Sequence, residues 1–332
     1  MFSDSRFRAM GSEVHLVVHG GSEHAALARR RLRELEARWS RFLPSSEVSR
    51  LNAAAGSAVE VSGETLLLLR RAEAAWHLTG GAFDPLLLHE LVRAGYDRPF
   101  ATLDVPGPLD ARAPDTQRSR SCHPAGWHRR PLCPDIETTA TAARLPAGSG
   151  FDPGGIGKGL AADLVTAEVM AAGADGVCLS LGGDVRVRGA APHGAWTIGV
   201  HHPWASTPVT LIGLHDGAVA TSSILRRVWR GADGERCHHL IDPATGKPAT
   251  TEVDLASVVA GDGWMAEALT KSVLLRPAGR HFDLVPDDCA ALAVAPDGTV
   301  AASLALPRFT GGVLPSTLHF DLHPLGCATQ GG

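Results

Sequence analysis

Four glycines and a lysine in one short block carry the strongest chemical signal in the chain. In FDPGGIGKGLAAD (151–163), Gly154, Gly155, Gly157 and Gly159 leave the backbone without Cβ atoms where a turn opens a helix. Such a turn lets amide N–H groups approach a phosphate, and the helix N-terminus together with Lys158 adds positive potential. The block is not a Walker A loop, because neither Ser nor Thr follows the lysine, and it lacks the dinucleotide-binding spacing. A strand-to-helix turn that needs glycine for packing alone is the other reading. A second turn, Leu181-Gly182-Gly183-Asp184, places Asp184 where it could meet a ligand hydroxyl or ring nitrogen, or cap the turn. A third block, HHLIDPATGKP (238–248), sets polar groups on a sharply turning loop. An imidazole with an ordinary pKa of about 6.5 gives His239 the chemistry of a phosphate donor or general acid–base. A satisfied structural histidine is the alternative.

These blocks need elements to hold them. The 332 residues are 44% hydrophobic and 20% charged, enough apolar content for a sizeable core and too much for a disordered chain. The 37 glycines and 22 prolines predict many turns. A net charge of −4 gives no broad pull toward nucleic acid or an anionic membrane. No apolar run approaches the roughly 18 residues that would span a bilayer, and MFSDSRFRAM lacks the apolar segment of a secretory signal. A cytoplasmic protein is therefore expected. Six scattered cysteines predict reduced thiols rather than a disulfide frame. Cys122, His123, His128 and Cys133 include ligands suited to zinc, but their spacing matches no common zinc module.

The pattern predicts a strand over Glu13–His19 and then a helix with Leu32, Leu35, Trp39 and Phe42 in one stripe, stopped at Pro44. Ser45-Ser46-Glu47 opens another short turn or helix, and a further helix runs from Ser62 to Thr79. From about Pro99 to Ala147 neither period is visible, which predicts a long loop or insertion. A strand-like GSGFD then leads into a helix whose apolar face is Leu160, Leu164, Ala167 and Ala171. Short strands follow at VCLSL, VRVRG, WTIGV and GAVAT, and LAVAPDGTVAAS reads as a hairpin. Strands and helices alternate irregularly, so the expected class is α+β, with mixed or antiparallel sheets. Residues 1–275 are expected to form one domain, which strands in 276–332 complete.

Taken in order, FDPGGIGKG, LGGD, ATSS, HHLIDPATGKP and MAEALTK resemble the ApbE family of FAD:protein FMN transferases. Met10-Gly11-Ser12, SRFLPSSEVSRLN (40–52) and GGAFDP (80–85) fit as well, so the resemblance runs from Met10 to about Leu275 with 99–147 unmatched. It implies a two-lobed fold with FAD in a groove between the halves. It also implies cleavage of the pyrophosphate with Mg²⁺, transfer of FMN to a Thr of a partner flavoprotein, and departure of AMP. A non-catalytic FAD carrier and an FAD pyrophosphatase are the alternatives. Carried over by position, Met10, Ser12, Phe42, Ser46, Asn52, Phe83 and Asp84 would line the flavin or adenine side. Gly154, Gly155, Lys158 and Asp163 belong to the pyrophosphate block. Gly183, Asp184, Ser222, His239, Asp242 and Thr245 would complete the pocket, with His239, Glu267 and Lys271 as the catalytic set.

The departures fall on the metal. The family motif resembles A-D-A-x-x-T, with a backbone carbonyl of the Gly-rich block as a further ligand. Here 266–271 reads Ala-Glu-Ala-Leu-Thr-Lys. Glu267 takes the Asp position, Lys271 takes the Thr position, and Thr270 is one residue early. Gly157, Glu267 and Thr270 are the ligands this sequence could offer, since 267, 270 and 271 share a helix face. Gly157 also stands where the family commonly has Ala, and Thr-Ser-Ser replaces Thr-Ser-Gly. The expectation is altered metal dependence, with Lys271 paired to Glu267 at i, i+4 where Mg²⁺ would sit. The alternative is a surface ion pair worth roughly a few tenths of a kcal/mol.

Overall fold

The computed structural model describes residues 1–105, 133–203, 206–231, 234–311 and 318–320. Cys122, His123 and His128, three of the four candidate zinc ligands, lie outside them.

Nine strands form the main sheet. In chain order they are β1 (Phe2–Ala9), β2 (Ser12–His19), β3 (Gly176–Leu181), β4 (Asp184–Gly189), β5 (Gly217–Ser223), β6 (Leu255–Ala260), β7 (Ala290–Val294), β8 (Val300–Ala302) and β9 (Leu318–Phe320). Their order across the sheet is the same as along the chain. Every neighbouring pair is antiparallel except β8 and β9. The α+β architecture expected from the sequence is therefore the one observed.

β2 (SEVHLVVH) alternates buried and partly exposed residues because only one of its faces is fully covered. β6 (LASVVA) is buried at every position. Leu255 and Val259 join the core under the hairpin Trp196–Val200 with Thr210–Leu214, while Ala256, Val258 and Ala260 pack under a helix on the other face. The β1–β2 turn has just two residues, Met10 and Gly11, at φ +52° and +64°. Two-residue hairpins want positive φ at both positions, and for Met10 that conformation is uncommon.

Six α-helices complete the described chain: α1 (Ser22–Trp39), α2 (Glu47–Ala53), α3 (Gly63–Leu78), α4 (Leu88–Arg93), α5 (Gly157–Ala171) and α6 (Gly263–Leu275). α1 buries Leu32, Leu35 and Trp39 as its stripe predicts, but it ends at Trp39, leaving Phe42 in the following turn. Ser46 and Ser62 cap α2 and α3, their hydroxyls accepting from the Ser49 and Thr65 amides. Two expectations need correction. GSGFD is not a strand; Pro153–Gly155 form a 3₁₀ turn, with the Asp152 carboxylate accepting from the Gly154 amide at 3.1 Å. The stretch before Gly148 is also partly regular, since Glu137–Thr138 and Ala142–Arg144 pair with each other, and Ala142–Arg144 also pairs with Val59–Glu60.

α5 departs from its predicted stripe too. Leu160 is buried, but Ala167 and Ala171 are exposed, and Ala161, Ala162, Val165 and Val169 are buried instead. α5 packs against α1, α6 and the sheet, so a broad arc of it is covered. Its crossing with α6 is a glycine–glycine contact. A Cβ on Gly159 would lie 2.3 Å from the Gly263 carbonyl oxygen. Asp163, one turn along α5, accepts from the Gly263 amide at 2.7 Å and the Trp264 amide at 3.0 Å. It thereby caps α6, whose own N-cap residue Asp262 makes no side-chain capping bond. The buried Arg186 donates to the same carboxylate at 3.0 Å.

Candidate active site

The glycine contact brings the N-terminus of α5 beside the middle of α6, and the space in front of them is a cavity of about 1300 Å³. Its far wall comes from the turn after α1, from α4, and from Tyr96 and Phe100; the β3–β4 turn and β5 close its floor.

One end is charged. The Lys158 ammonium lies 2.9 Å from Asp184 Oδ2 and also pairs with Glu267 Oε1. The other Glu267 oxygen accepts from the Gly159 amide at 2.8 Å. Lys271 Nζ donates to the Glu267 backbone carbonyl at 2.8 Å, so the i, i+4 pair forms through the main chain. Glu267 is only 1% exposed, which rules out the surface ion pair. Gly155 has to be glycine here. A Cβ would come within 2.8 Å of the Phe83 ring and 3.3 Å of Lys271 Cε. Burial works against the Lys158 charge, but Asp184 and Glu267 outweigh it and hold the ammonium above its ordinary pKa. For Lys271 burial wins, and nearby Lys158 adds to it, pushing the group down to about 8 despite Glu267.

His239 faces the same end. Burial, then Arg227, His238, Lys271 and Lys158, hold its imidazole well below the ordinary value. Its Nδ1 is buried without a hydrogen-bond partner among the described residues. Arg227 carries no recognisable local motif and escaped the sequence reading. It sits at φ +50° and donates from Nη2 to Ser12 Oγ at 3.0 Å, across 215 residues of chain. Phe42, Leu87, Leu91, Tyr96 and Phe100 give the lining an apolar stretch. The Arg41 guanidinium stacks 4.2 Å from the Phe42 ring centre and 4.4 Å from that of Tyr96, and its Nε lies 3.5 Å from Asp152 of the Gly-rich turn. Arg41 and Tyr96 were likewise missed, because only the fold brings them together.

Of the residues expected at the site, the cavity gathers Met10, Ser12, Phe42, Phe83, Asp84, Gly154, Gly155, Gly157, Lys158, Gly183, Asp184, Ser222, His239, Glu267 and Lys271. Five others stand behind the wall. Ser46 caps α2. Asn52 brackets the Phe151 peptide, accepting from its N–H at 2.7 Å and donating to its carbonyl at 3.0 Å. Asp163 caps α6. Asp242 accepts from the Ala244 amide at 2.8 Å and from the Thr245 hydroxyl at 3.3 Å, shaping the loop after His239. These residues position the lining rather than form it.

The expected metal ligands do not converge. Thr270 is fully buried, its hydroxyl donating to the Glu267 carbonyl at 2.7 Å and lying 2.6 Å from Ser222 Oγ. Its hydroxyl is engaged by the Glu267 carbonyl and by Ser222 of β5, so sharing a helical face with Glu267 does not free it for a common ion. Both Glu267 oxygens are engaged, and an ammonium stands at the position the family gives to a hydroxyl ligand. Among the described residues no group of three or more His, Cys, Asp and Glu side chains could hold a metal ion. The donor set does not fit Mg²⁺.

A glycine turn with lysines and an aromatic wall in one cavity define a site for an anionic ligand that also carries flat rings. The sequence model of the ApbE family matches residues 10–293, and the chain belongs to that family. It is 32% identical over 277 residues to the FAD:protein FMN transferase of Treponema pallidum, covering 79% of this chain and 74% of that one. A Klebsiella pneumoniae protein of the same name is 32% identical over 263 residues, 76% of each chain. The crystal structure of the ApbE protein of Thermotoga maritima superposes with a TM-score of 0.77 at 26% identity, over 93% of this chain and 99% of that one. The Pseudomonas stutzeri flavinyl transferase ApbE shares the fold at a TM-score of 0.74 and 20% identity, over 95% and 98%.

Proposed function

We propose that this chain is an FAD:protein FMN transferase, moving FMN from FAD to a Thr or Ser hydroxyl of a partner flavoprotein. The observation that carries this reading is that one cavity joins phosphate-binding and ring-binding groups. Its glycine turn and lysines suit the pyrophosphate, and the wall of Phe42, Tyr96 and Phe100 suits a ring system. At about 1300 Å³ the cavity also exceeds the roughly 300–1,000 Å³ of an ordinary small-molecule pocket, which leaves room for an acceptor side chain beside FAD. The relatives named for this activity support the same reading.

In the transfer, the acceptor oxygen forms a bond to the FMN phosphorus as the bridging P–O bond breaks. The bridging oxygen leaves on AMP with the bonding electrons. Catalysis of such a step is mostly positioning and charge stabilisation. Lys158, Lys271 and the Gly155 amide take the pyrophosphate oxygens in this reading. His239, held neutral by its surroundings, takes the hydroxyl proton. Ser12 and Arg227 fix the floor, and Phe83 packs under the turn. No step is assigned to Mg²⁺.

The second reading, a carrier that binds FAD and leaves it intact, is not favoured by the names of the relatives. Purified protein incubated with FAD and a Thr-containing acceptor peptide separates the two readings by chromatography. AMP appearing in proportion to FAD consumed is the expected result. FAD retained intact would assign the carrier role.

A further inference from the structure

Two ammonium groups, rather than an ion-sized set of oxygen ligands, face the Gly-rich turn. Lys158 Nζ is fixed from two sides by carboxylates, 2.9 Å from Asp184 and paired with Glu267. Lys271 Nζ is fixed by the Glu267 carbonyl at 2.8 Å, and its stem passes within contact of the Cβ-less Gly155. One residue, Glu267, thus holds both lysines and the Gly159 amide of the α5 N-terminus. That arrangement aims ammonium N–H donors where a transferring phosphoryl group needs them, and with both lysines balancing Asp184 and Glu267 no net negative charge remains to hold a divalent cation.

We propose that Lys158 and Lys271, aligned by Asp184 and Glu267, form a two-ammonium clamp that takes the part of a divalent cation at the FAD pyrophosphate, so that this chain transfers FMN without Mg²⁺. The inference rests on the transferase reading of the cavity. In this role Glu267 is a positioning residue and not a metal ligand. A lysine ammonium has three N–H donors, and the Glu267 carbonyl takes one from Lys271; the others point to phosphate oxygens. As the acceptor oxygen bonds to phosphorus and the bridging oxygen departs with its electron pair, the clamp neutralises the charge growing on AMP. The acceptor proton leaves through His239. Arg227, which lines the same cavity, adds a third cation on the floor.

The test measures two quantities, FAD affinity by quenching of flavin fluorescence and AMP release with an acceptor peptide. Each is read in EDTA and in excess Mg²⁺, for the native chain, Lys271→Gln, Lys271→Arg and the double variant Glu267→Asp/Lys271→Thr. The native chain is expected to bind and turn over FAD equally in both conditions. Lys271→Gln, which keeps a donor to the Glu267 carbonyl, is expected to bind FAD about tenfold more weakly and to release AMP roughly 10²–10³-fold more slowly, the usual cost of one lost charge-stabilising donor. Lys271→Arg, which keeps the charge, is expected to retain FAD binding and guards against a folding defect. The double variant is expected to gain turnover on adding Mg²⁺. Native binding or turnover that EDTA abolishes and Mg²⁺ restores would overturn the clamp and leave the transferase standing. Native-like FAD affinity in Lys271→Gln would also overturn it. Failure of the native chain to bind FAD in either condition would overturn both readings.

Discussion

At His239 burial and its basic neighbours act in one direction, each disfavouring a second proton on the imidazole. The ordinary histidine value near 6.5 is therefore displaced downward, and the ring is a proton acceptor throughout the neutral range. The sign matters for the rate profile. Activity that depends on neutral His239 falls only when the pH drops below the lowered pKa, so the acid limb of AMP release lies well below pH 6.5. Arg227, His238, Lys271 and Lys158 are the groups that set it there. His239→Gln removes the acceptor and is expected to slow AMP release about 10²–10⁴-fold with FAD affinity little changed, which a comparison of rate and fluorescence titration checks. At this scale the sequence was informative where chemistry is packed into one short block, as in residues 151–163 and 238–248. It was silent about Arg227, whose partner Ser12 lies 215 residues away, and about the stacking of Arg41 on Tyr96. It could not foresee that the Thr270 hydroxyl is engaged by the Glu267 carbonyl and by Ser222 on β5.

The element that matters most is the pair α5–α6, because it sets Gly155, Lys158, Glu267 and Lys271 against one another. Its register depends on backbone contact at Gly159 and Gly263 and on Asp163 capping α6. Gly159→Ala would drive a methyl group to 2.3 Å from a carbonyl oxygen, so the helices must part. A loss of about 1–3 kcal/mol or more is expected in urea unfolding, together with weaker FAD binding. Asp163→Ala leaves Arg186 buried without this carboxylate and exposes two orphan amides, with an expected cost of about 3–5 kcal/mol; Asp163→Asn, which keeps part of the cap, should cost less. Several strands were legible from their apolar runs and turn residues, though Phe2–Ala9 and Leu255–Ala260 were not, and the caps Ser46 and Ser62 marked their helices. The buried arc of α5 was not legible. A helix covered by two helices and a sheet shows no single stripe, and the small alanines that permit close packing resemble surface alanines in sequence.

For the whole molecule, the main sheet supplies the floor of the site, and the cavity lies where α5, α6, the β3–β4 turn and β5 meet. A ligand that bridges these parts stabilises the folded state in proportion to its occupancy. FAD at a hundredfold excess over its dissociation constant is expected to add about 2.7 kcal/mol, seen as a rise in thermal midpoint that Lys158→Met diminishes. The net charge of −4 and the absence, among the described residues, of a helix long and apolar enough to cross a membrane agree with the composition. The α+β class was readable because the strand and helix periods alternate irregularly. The sheet order was not, since strand neighbours are chosen by long-range pairing that no local pattern records. The measurement that bears most directly on the central claim is mass spectrometry of a Thr-containing flavinylation peptide after incubation with this protein and FAD, with AMP quantified in the same sample. One FMN added per AMP released is the predicted result. An unmodified peptide beside intact, protein-bound FAD would contradict it.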